Sequence, residues 1–219
     1  MLELLLDRVS RTVHGRSGSV LYSGRSAFAG PSDIYVLGLN PGGSPISQCA
    51  ETVELDIRQS LTGRAEWSAY QDECWLGKPA GTHGMQPRVL HLLKGLDRDP
   101  RRAPASNVVF VRTAREVDLA AEKAALLDAC WPVHQAVIDG LGVRTILCFG
   151  GTAGAWVRER LQAHELAGSF VERNARRWRS LAHLDQQGRC VVTLTHPSIA
   201  KWDAAATDPT PFVRDMMAR

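Results

Sequence analysis

Four short apolar runs, each ended by a polar or glycine-rich loop, set the hydrophobic pattern of this chain. They are rich in β-branched residues and aromatics and span residues 34–39, 107–112, 145–149 and 190–194. Between them, apolar residues recur at helical spacing, most clearly over 87–95 and 119–141. Apolar strands that alternate with helices are typical of a buried, parallel sheet. The pattern therefore predicts an α/β fold with a central, mostly parallel, four-stranded sheet.

Shorter elements are predicted around this frame. Leucine and valine side chains form one stripe over residues 2–14, which indicates an amphipathic helix packed on the sheet. We expect Asp118 to cap the helix 119–141 at its N-terminus. Other predicted elements are a short helix over 51–61, a basic hairpin or lid over 168–180 and a closing helix near 211–217. The rest of 46–82 lacks a clear pattern, and long irregular segments of this kind are usually functional or flexible.

Length and composition restrict the classes of protein to which the chain can belong. The 219 residues suffice for one large domain, and we expect a single domain over residues 1–219. No apolar run approaches the roughly 20 residues that cross a bilayer. Acids interrupt the first apolar segment and no basic region precedes it, so we expect no signal peptide. The five cysteines include no CxxC pair, which favours a cytoplasmic protein without disulfides.

Two of the loops that end strands hold residues suited to ligand binding. Gly38-Leu-Asn-Pro-Gly42 follows the first strand, and Thr195-His-Pro-Ser198 follows the fourth. In open α/β sheets, ligands bind at the carboxyl ends of the strands, where backbone N–H groups and helix starts converge. We therefore expect these two loops to meet at one site, although most of the chain separates them.

Four pieces of the sequence resemble the uracil-DNA glycosylase superfamily in their order and placement. Gly38-Leu-Asn-Pro-Gly42 is similar to the first active-site motif of the branches that carry asparagine there, and His196-Pro-Ser198 is similar to the closing motif. Ser106-Asn107 resembles the strand start that supplies the uracil-reading asparagine. The helix at 127–138 and the strand after it are similar to those of the iron–sulphur-containing branch. The resemblance covers about residues 33–200 and implies a three-layer αβα sandwich.

The resemblance implies a DNA repair enzyme that flips uracil out of DNA and hydrolyses its N-glycosidic bond, leaving an abasic site. Asn40 would position the attacking water through its side-chain carbonyl, because an amide is not a base at neutral pH. Asn107 would pair with N3–H and O4 of uracil, and cytosine presents the reverse pattern. Neutral His196 would donate a hydrogen bond to O2 of the departing uracil anion. Branches with aspartate in place of Asn40 are generally faster, so we expect a slower or more selective enzyme.

Further contacts with the extruded base and with the surrounding DNA follow from the same resemblance. Base contacts are expected from Gly38, Leu39, Pro41, Gly42, Trp67 and Tyr70. DNA contacts are expected from Ser198, Ile199, Lys201, Trp202, Arg176 and Arg177. One of the two aromatics would stack on a face of the base, and the serine would clamp a flanking phosphate. Ile199, Lys201 or Trp202 would fill the vacated place in the base stack, and the arginines would contact phosphates.

The expected partner is DNA that contains uracil or an abasic site, and we expect a monomer with no membrane contact. No cofactor and no metal are expected, because a cluster needs four thiolates and only Cys130 stands at a ligand-like place. Since no lysine lies in the matched motifs, a monofunctional glycosylase is favoured over a lyase, with Lys201 as the one nearby exception.

Two alternatives stay open. Gly150-Gly-Thr-Ala-Gly154 follows the third strand and is suited to cradling phosphate in a different α/β enzyme, although it lacks the Walker lysine. The same fold is also compatible with a protein that binds uracil or abasic DNA with little turnover. An amide at Asn40 makes this second alternative harder to dismiss than a carboxylate would.

Overall fold

The computed structural model describes residues 2–219, which form one six-stranded sheet with helices on both faces. The strands are β1 (Ile34–Gly38), β2 (Ala105–Asn107), β3 (Thr145–Phe149), β4 (Glu165–Val171), β5 (Arg179–Leu184) and β6 (Cys190–Leu194). The α-helices are α1 (Leu2–Leu6), α2 (Val53–Thr62), α3 (Gln86–Gly95), α4 (Lys123–Leu141), α5 (Gly151–Leu161) and α6 (Thr210–Met217). Within the described residues, none of these helices has both the length and the hydropathy to traverse a bilayer.

The order of strands across the sheet is β2-β1-β3-β6-β5-β4. β2, β1, β3 and β6 run parallel, whereas β5 is antiparallel to both β6 and β4. The predicted α/β fold and mostly parallel sheet are therefore confirmed. The predicted count of four strands is wrong, because the hairpin expected at 168–180 supplies β4 and β5. β4 is exposed or half-buried along its whole length, so it lacks the apolar run by which buried strands are recognised.

Alternate side chains of the central strands enter two separate cores. Tyr35 and Leu37 of β1 pack in the core that includes side chains of α1, α4 and α5. Ile34 and Val36 pack in the core that includes side chains of α3 and α6. Every position of β1 and of β3 is buried, as expected for parallel strands covered on both faces. The architecture therefore has three layers, with the sheet between two layers of helices.

Two predicted elements are shorter than expected. The first helix ends at Leu6 instead of residue 14, although the later stripe residues Val9 and Val13 are buried. The helix expected from residue 119 begins at Lys123. Asp118 does not cap it, because its carboxylate accepts from the Arg115 N–H and closes a 3-10 turn instead.

The second strand is shifted from its predicted position. It covers Ala105–Asn107 and not 107–112. Beyond Asn107 the chain bonds to the loop after β1, where the Val109 N–H donates to the Leu39 carbonyl at 2.8 Å. It also forms isolated antiparallel bridges with the N-terminal segment, at Leu21–Ser106 and Gly18–Val111.

His134 of α4 is a fully buried polar group in the first core. Its Nε2 lies 3.2 Å from the Val108 carbonyl, and its Nδ1 lies 2.9 Å from the Tyr35 hydroxyl. Because a carbonyl only accepts, Nε2 carries the proton and Nδ1 accepts from the hydroxyl. The neutral ring is fully bonded, and burial lowers the pKa of His134 to about 4.

Acidification should destabilise the fold through His134. Its pKa is lower in the folded chain than the 6.5 of an exposed histidine, so the unfolded chain binds the extra proton as pH falls. The free energy of unfolding should therefore fall between pH 6.5 and 4 by up to about 3 kcal/mol from this group. The free energy of unfolding, measured by urea denaturation at several pH values in this range, should change less steeply with pH for His134→Gln than for wild type. Equal slopes, or an NMR titration of His134 near pH 6.5 in the folded protein, would contradict the expectation.

Candidate active site

Loops that follow four parallel strands line one cavity of about 1320 Å³. β1, β2, β3 and β6 end at the same edge of the sheet because they run parallel. Asn40, Asn107, Gly150 and His196 come from these four strand ends, and all of them line the cavity. β1 has β2 on one side and β3 on the other, so the strand order reverses here, which is where open α/β sheets bind ligands. The structure thus brings the Asn40 and His196 loops to one site.

The Asn40 side chain is held by its amide nitrogen and leaves its carbonyl oxygen without a protein partner. Nδ2 donates to the Thr113 hydroxyl at 2.9 Å and to the Pro41 carbonyl at 3.0 Å. Thr113 in turn donates its only hydroxyl proton to the Arg115 carbonyl at 3.0 Å. Toward Asn40 the hydroxyl can therefore only accept, so the atom that faces it must be the nitrogen. Oδ1 has no donor among residues 2–219 and is available to a water molecule.

A buried arginine stiffens the loop that carries Asn40. Arg112 donates to the Gly42 carbonyl at 2.7 Å and to the Glu51 carboxylate at 2.8 Å. Leu39 and Gly42 line the cavity beside Asn40, while Pro41 is buried and contributes its carbonyl to the Asn40 amide. The loop is therefore held at several points, which restricts the positions that Asn40 can take.

Asn107 is 5% exposed and has an unused donor. Its Nδ2 is buried and has no hydrogen-bond partner among the described residues. A buried amide nitrogen of this kind costs free energy unless a ligand or water bonds to it. Room for the amide depends on Gly38, its partner in the β1–β2 ladder, since a Cβ there would lie 2.2 Å from Asn107 Oδ1. Asn107 lines the cavity, so this unpaired donor lies within the cavity wall at the end of β2.

Tyr22 is a cavity residue that sequence reasoning missed. It lies in the N-terminal segment beside β2, where its N–H donates to the Ala105 carbonyl at 2.8 Å. Burial raises the pKa of Tyr22 to about 12, although the Asn107 amide acts to lower this pKa. The phenol is thus neutral and close to the amide of Asn107, without a hydrogen bond of good geometry between them. No local pattern in its glycine- and serine-rich segment indicates this position.

His196 is held as a neutral ring with its proton on Nε2. Its Nδ1 lies 3.1 Å from the Ser198 backbone nitrogen, which can only donate, and 2.8 Å from the Ser198 hydroxyl. Nδ1 must therefore be an acceptor, and Nε2 carries the proton. Burial lowers the pKa of His196, and the Glu116 carboxylate partly opposes this shift. Since Nε2 has no partner in the described chain, its N–H is open to a ligand.

Glu116 is a second cavity residue that the sequence did not predict. Its Oε1 accepts from the Thr152 hydroxyl at 2.6 Å and from Lys123 at 3.3 Å. The Thr152 hydrogen bond is the main cause that lowers the pKa of Glu116, so the carboxylate is ionised at neutral pH. The sequence gives no signal for this residue, because its place in the cavity depends on how the 3-10 turn meets α5.

The two candidate stacking aromatics have different surroundings. Tyr70 is almost fully buried against Tyr22, Trp75 and Phe149, so its ring offers no open face. Trp67 is half-buried and also lines the cavity, and the Arg64 guanidinium covers one of its faces at 4.2 Å. Stacking by Trp67 stays a prediction, whereas the packing of Tyr70 makes it part of the cavity wall.

Most of the expected DNA contacts lie together on the surface. Ser198 and Ile199 are exposed and line the cavity mouth, with Ile199 52% exposed. Arg176, on the turn between β4 and β5, donates to the Ile199 carbonyl at 3.0 Å and lies over Trp178. Arg177 is exposed on the same turn, so the basic turn and the His196 loop form one rim.

The structure contradicts one of the three candidates for the residue that fills the base stack. Trp202 is 1% exposed and packs edge-on against Phe149 in the second core, so it cannot enter DNA without unfolding this region. Lys201 is exposed but does not line the cavity. Ile199 is the remaining apolar candidate, because it is exposed at the mouth.

The cysteines and the glycine-rich start of α5 have different surroundings in the described residues. All five cysteines are free, and burial raises the pKa of Cys130 to about 12. Residues 2–219 contain no group of three or more His, Cys, Asp or Glu side chains arranged to hold a metal ion. Gly150–Thr152, at the start of α5, lines the cavity, so phosphate binding there stays open.

No protein-family model matches the sequence, and no curated protein matches it with significant similarity.

Proposed function

We propose that the chain is a monofunctional uracil-DNA glycosylase of the uracil-DNA glycosylase superfamily. One observation carries the proposal: three hydrogen-bonding groups of different kinds, each without a protein partner, belong to residues that line a single cavity. They are the Asn40 carbonyl oxygen, the Asn107 amide and the Nε2–H of His196. This hydrolysis needs a hydrogen-bond acceptor that holds water, an amide that pairs with the edge of the base, and a hydrogen-bond donor that stabilises the leaving anion.

Asn107 fits the edge of uracil. Its Nδ2 would donate to O4 and its Oδ1 would accept from N3–H, which gives the unpaired nitrogen a partner. Cytosine carries a donor at N4 and an acceptor at N3, so it would leave both groups of the amide unpaired. The base must leave the stack to reach the cavity, as in other enzymes that act on bases.

Bond cleavage would separate charge between the sugar and the base. The C1′–N1 bond breaks and N1 takes the electron pair, which leaves a cationic sugar and a uracil anion. The Nε2–H of His196 would donate to O2 of that anion. Water held by Asn40 Oδ1 would bond through its oxygen to C1′, and the proton that it loses balances the proton that the uracil anion takes up as it leaves.

Unpaired arginines at the cavity mouth favour DNA as the partner. Arg115 and Arg179 line the cavity, and Arg176 and Arg177 lie on the adjacent turn. None of the four forms an ion pair with a carboxylate of the described residues, unlike Arg64 and its partner Asp56 in the cavity wall. Their charge is therefore available to phosphates.

Release of an abasic product tests the proposal. Oligonucleotides with one uracil, single-stranded or opposite guanine or adenine, should be cut by alkali after incubation with the protein, and those with cytosine or thymine should not. Asn40→Ala and His196→Ala should abolish most of the product, and hypoxanthine would map the base range. Borohydride should trap no covalent complex. Absence of abasic product from uracil DNA at enzyme excess would refute the assignment.

A second candidate is a protein that binds uracil or abasic DNA without turnover. Asn40 favours it, since an amide cannot take the proton of water. The same experiment separates the two, because a binding protein would retard uracil-containing DNA in a gel and release no abasic product.

A further inference from the structure

Four carboxylates line the cavity, and each of them has a hydrogen-bond or ion-pair partner, which for Glu116 includes the Lys123 ammonium. Glu51 is bound to buried Arg112 at 2.8 Å, and Asp56 is bound to Arg64 at 2.7 Å. Glu73 accepts from the indole nitrogen of Trp75 at 3.0 Å. Glu116 is the fourth. Both of its hydrogen bonds go to Oε1, so Oε2 is open among the residues that the structure describes.

Glu116 lies on the part of the wall that joins the Asn40 loop to the His196 loop. It directly follows the segment Thr113–Arg115, which holds the Asn40 amide. Its partner Thr152 lies in the first turn of α5, two residues after Gly150. The His196 ring packs against Gly150, where a Cβ would lie 3.4 Å from its Cδ2. The Glu116 carboxylate therefore interacts electrostatically with His196, and it shares the cavity with Asn40.

The proposed reaction needs a negative charge that Asn40 cannot supply. The sugar becomes cationic as the C1′–N1 bond breaks, and both Asn40 and His196 are neutral. A fixed carboxylate beside such a site stabilises developing positive charge without any proton transfer. Thr152 and Lys123 hold Oε1 in place, so the group need not reorganise during the reaction.

We propose that Glu116 stabilises the cationic sugar and so replaces the charge of the aspartate that faster relatives would carry in place of Asn40. This inference rests on the proposed glycosylase function. The inference assigns to the carboxylate a favourable effect on the reaction. Its effect on DNA binding should have the opposite sign. A carboxylate near DNA repels phosphates, so removing its charge should strengthen DNA binding, whereas the same change should slow a reaction that the charge assists.

Glu116→Gln keeps the shape and the acceptor for Thr152 while it removes the charge. We expect kcat for uracil release to fall roughly 10- to 100-fold, with affinity for undamaged DNA unchanged or a few-fold tighter, and partial recovery in Glu116→Asp. Glu122→Gln is the matched control, because Glu122 pairs with Arg16 outside the cavity. It should leave kcat unchanged. A kcat for Glu116→Gln equal to or above wild type would overturn the inference.

A binding experiment separates this inference from the proposed function. Two duplexes carry, at one position, either a cationic pyrrolidine or a neutral tetrahydrofuran in place of the sugar and base. Wild type should bind the cationic duplex at least ten-fold more tightly than the neutral one, and Glu116→Gln should lose most of that preference while Glu122→Gln keeps it. If the preference is present but uracil is not released, the proposed turnover fails and the role of Glu116 stands. If wild type shows no preference, or Glu116→Gln keeps it, the role of Glu116 fails whatever the activity.

Discussion

Replacing His196 with alanine should lower kcat for uracil release by roughly 10²- to 10³-fold, the usual cost of removing one donor from a developing anion. The expectation follows from the protonation state of the ring. The Ser198 N–H occupies Nδ1, which leaves the Nε2–H as the open donor in the cavity. Affinity for DNA should change little, since the anion exists only as the bond breaks. Single-turnover rates at saturating enzyme measure the step directly.

The pH dependence of the same rate provides a second readout for His196. Burial lowers its pKa below that of an exposed histidine. Protonation at Nδ1 would break the bond from the Ser198 N–H, and the ring would leave its orientation. The rate should therefore rise with pH through this lowered pKa and be level at pH 7 and above. Ser198→Ala keeps the backbone N–H and should have a much smaller effect. An unchanged rate in His196→Ala would show that the leaving anion is stabilised elsewhere.

The buried frame of the fold could be predicted because its strands are continuous apolar runs. β3 and β6 have the predicted limits, and β1 ends one residue early. β4 could not be recognised, since its side chains are exposed or half-buried and follow no pattern. The start of α4 was placed too early because Asp118 is a suitable cap in sequence, yet its carboxylate closes a separate turn. Local patterns identify buried strands well and the ends of half-exposed elements poorly.

The site residues that could be predicted lie beside recognisable strands, and those that could not lie in segments without a hydrophobic pattern. Asn40 and His196 follow strands whose ends can be located from the sequence, whereas Asn107 was expected at the start of its strand and lies at its end. Tyr22 and Glu116 lie in segments without a pattern, and they join the cavity only because a parallel sheet brings distant loops to one edge. Trp202 stands in the closing loop, but burial against the core gives it a structural position that its neighbours in sequence do not reveal.

Replacing Gly38 with alanine should lower kcat/KM for uracil by roughly 100-fold, because the change displaces Asn107 without touching it in sequence. The added Cβ would lie 2.2 Å from Asn107 Oδ1, which is closer than two such atoms can approach. β1 lies between two strands of the sheet, so its backbone cannot easily move away. The Asn107 amide must rotate instead, and uracil loses its two hydrogen bonds.

A double-mutant cycle shows whether Gly38 acts through Asn107. Asn107→Ala alone should cost about as much activity as Gly38→Ala, and Gly38→Ala should add little once Asn107 has been truncated. The coupling energy should be about 2 kcal/mol or more, since the two residues are in contact. Gly30→Ala is the matched control, because it lies ahead of β1 with open space around its added Cβ. If the two losses simply added, Gly38→Ala would be acting on the sheet and not on the amide, and the reading of uracil by Asn107 would lose its structural basis.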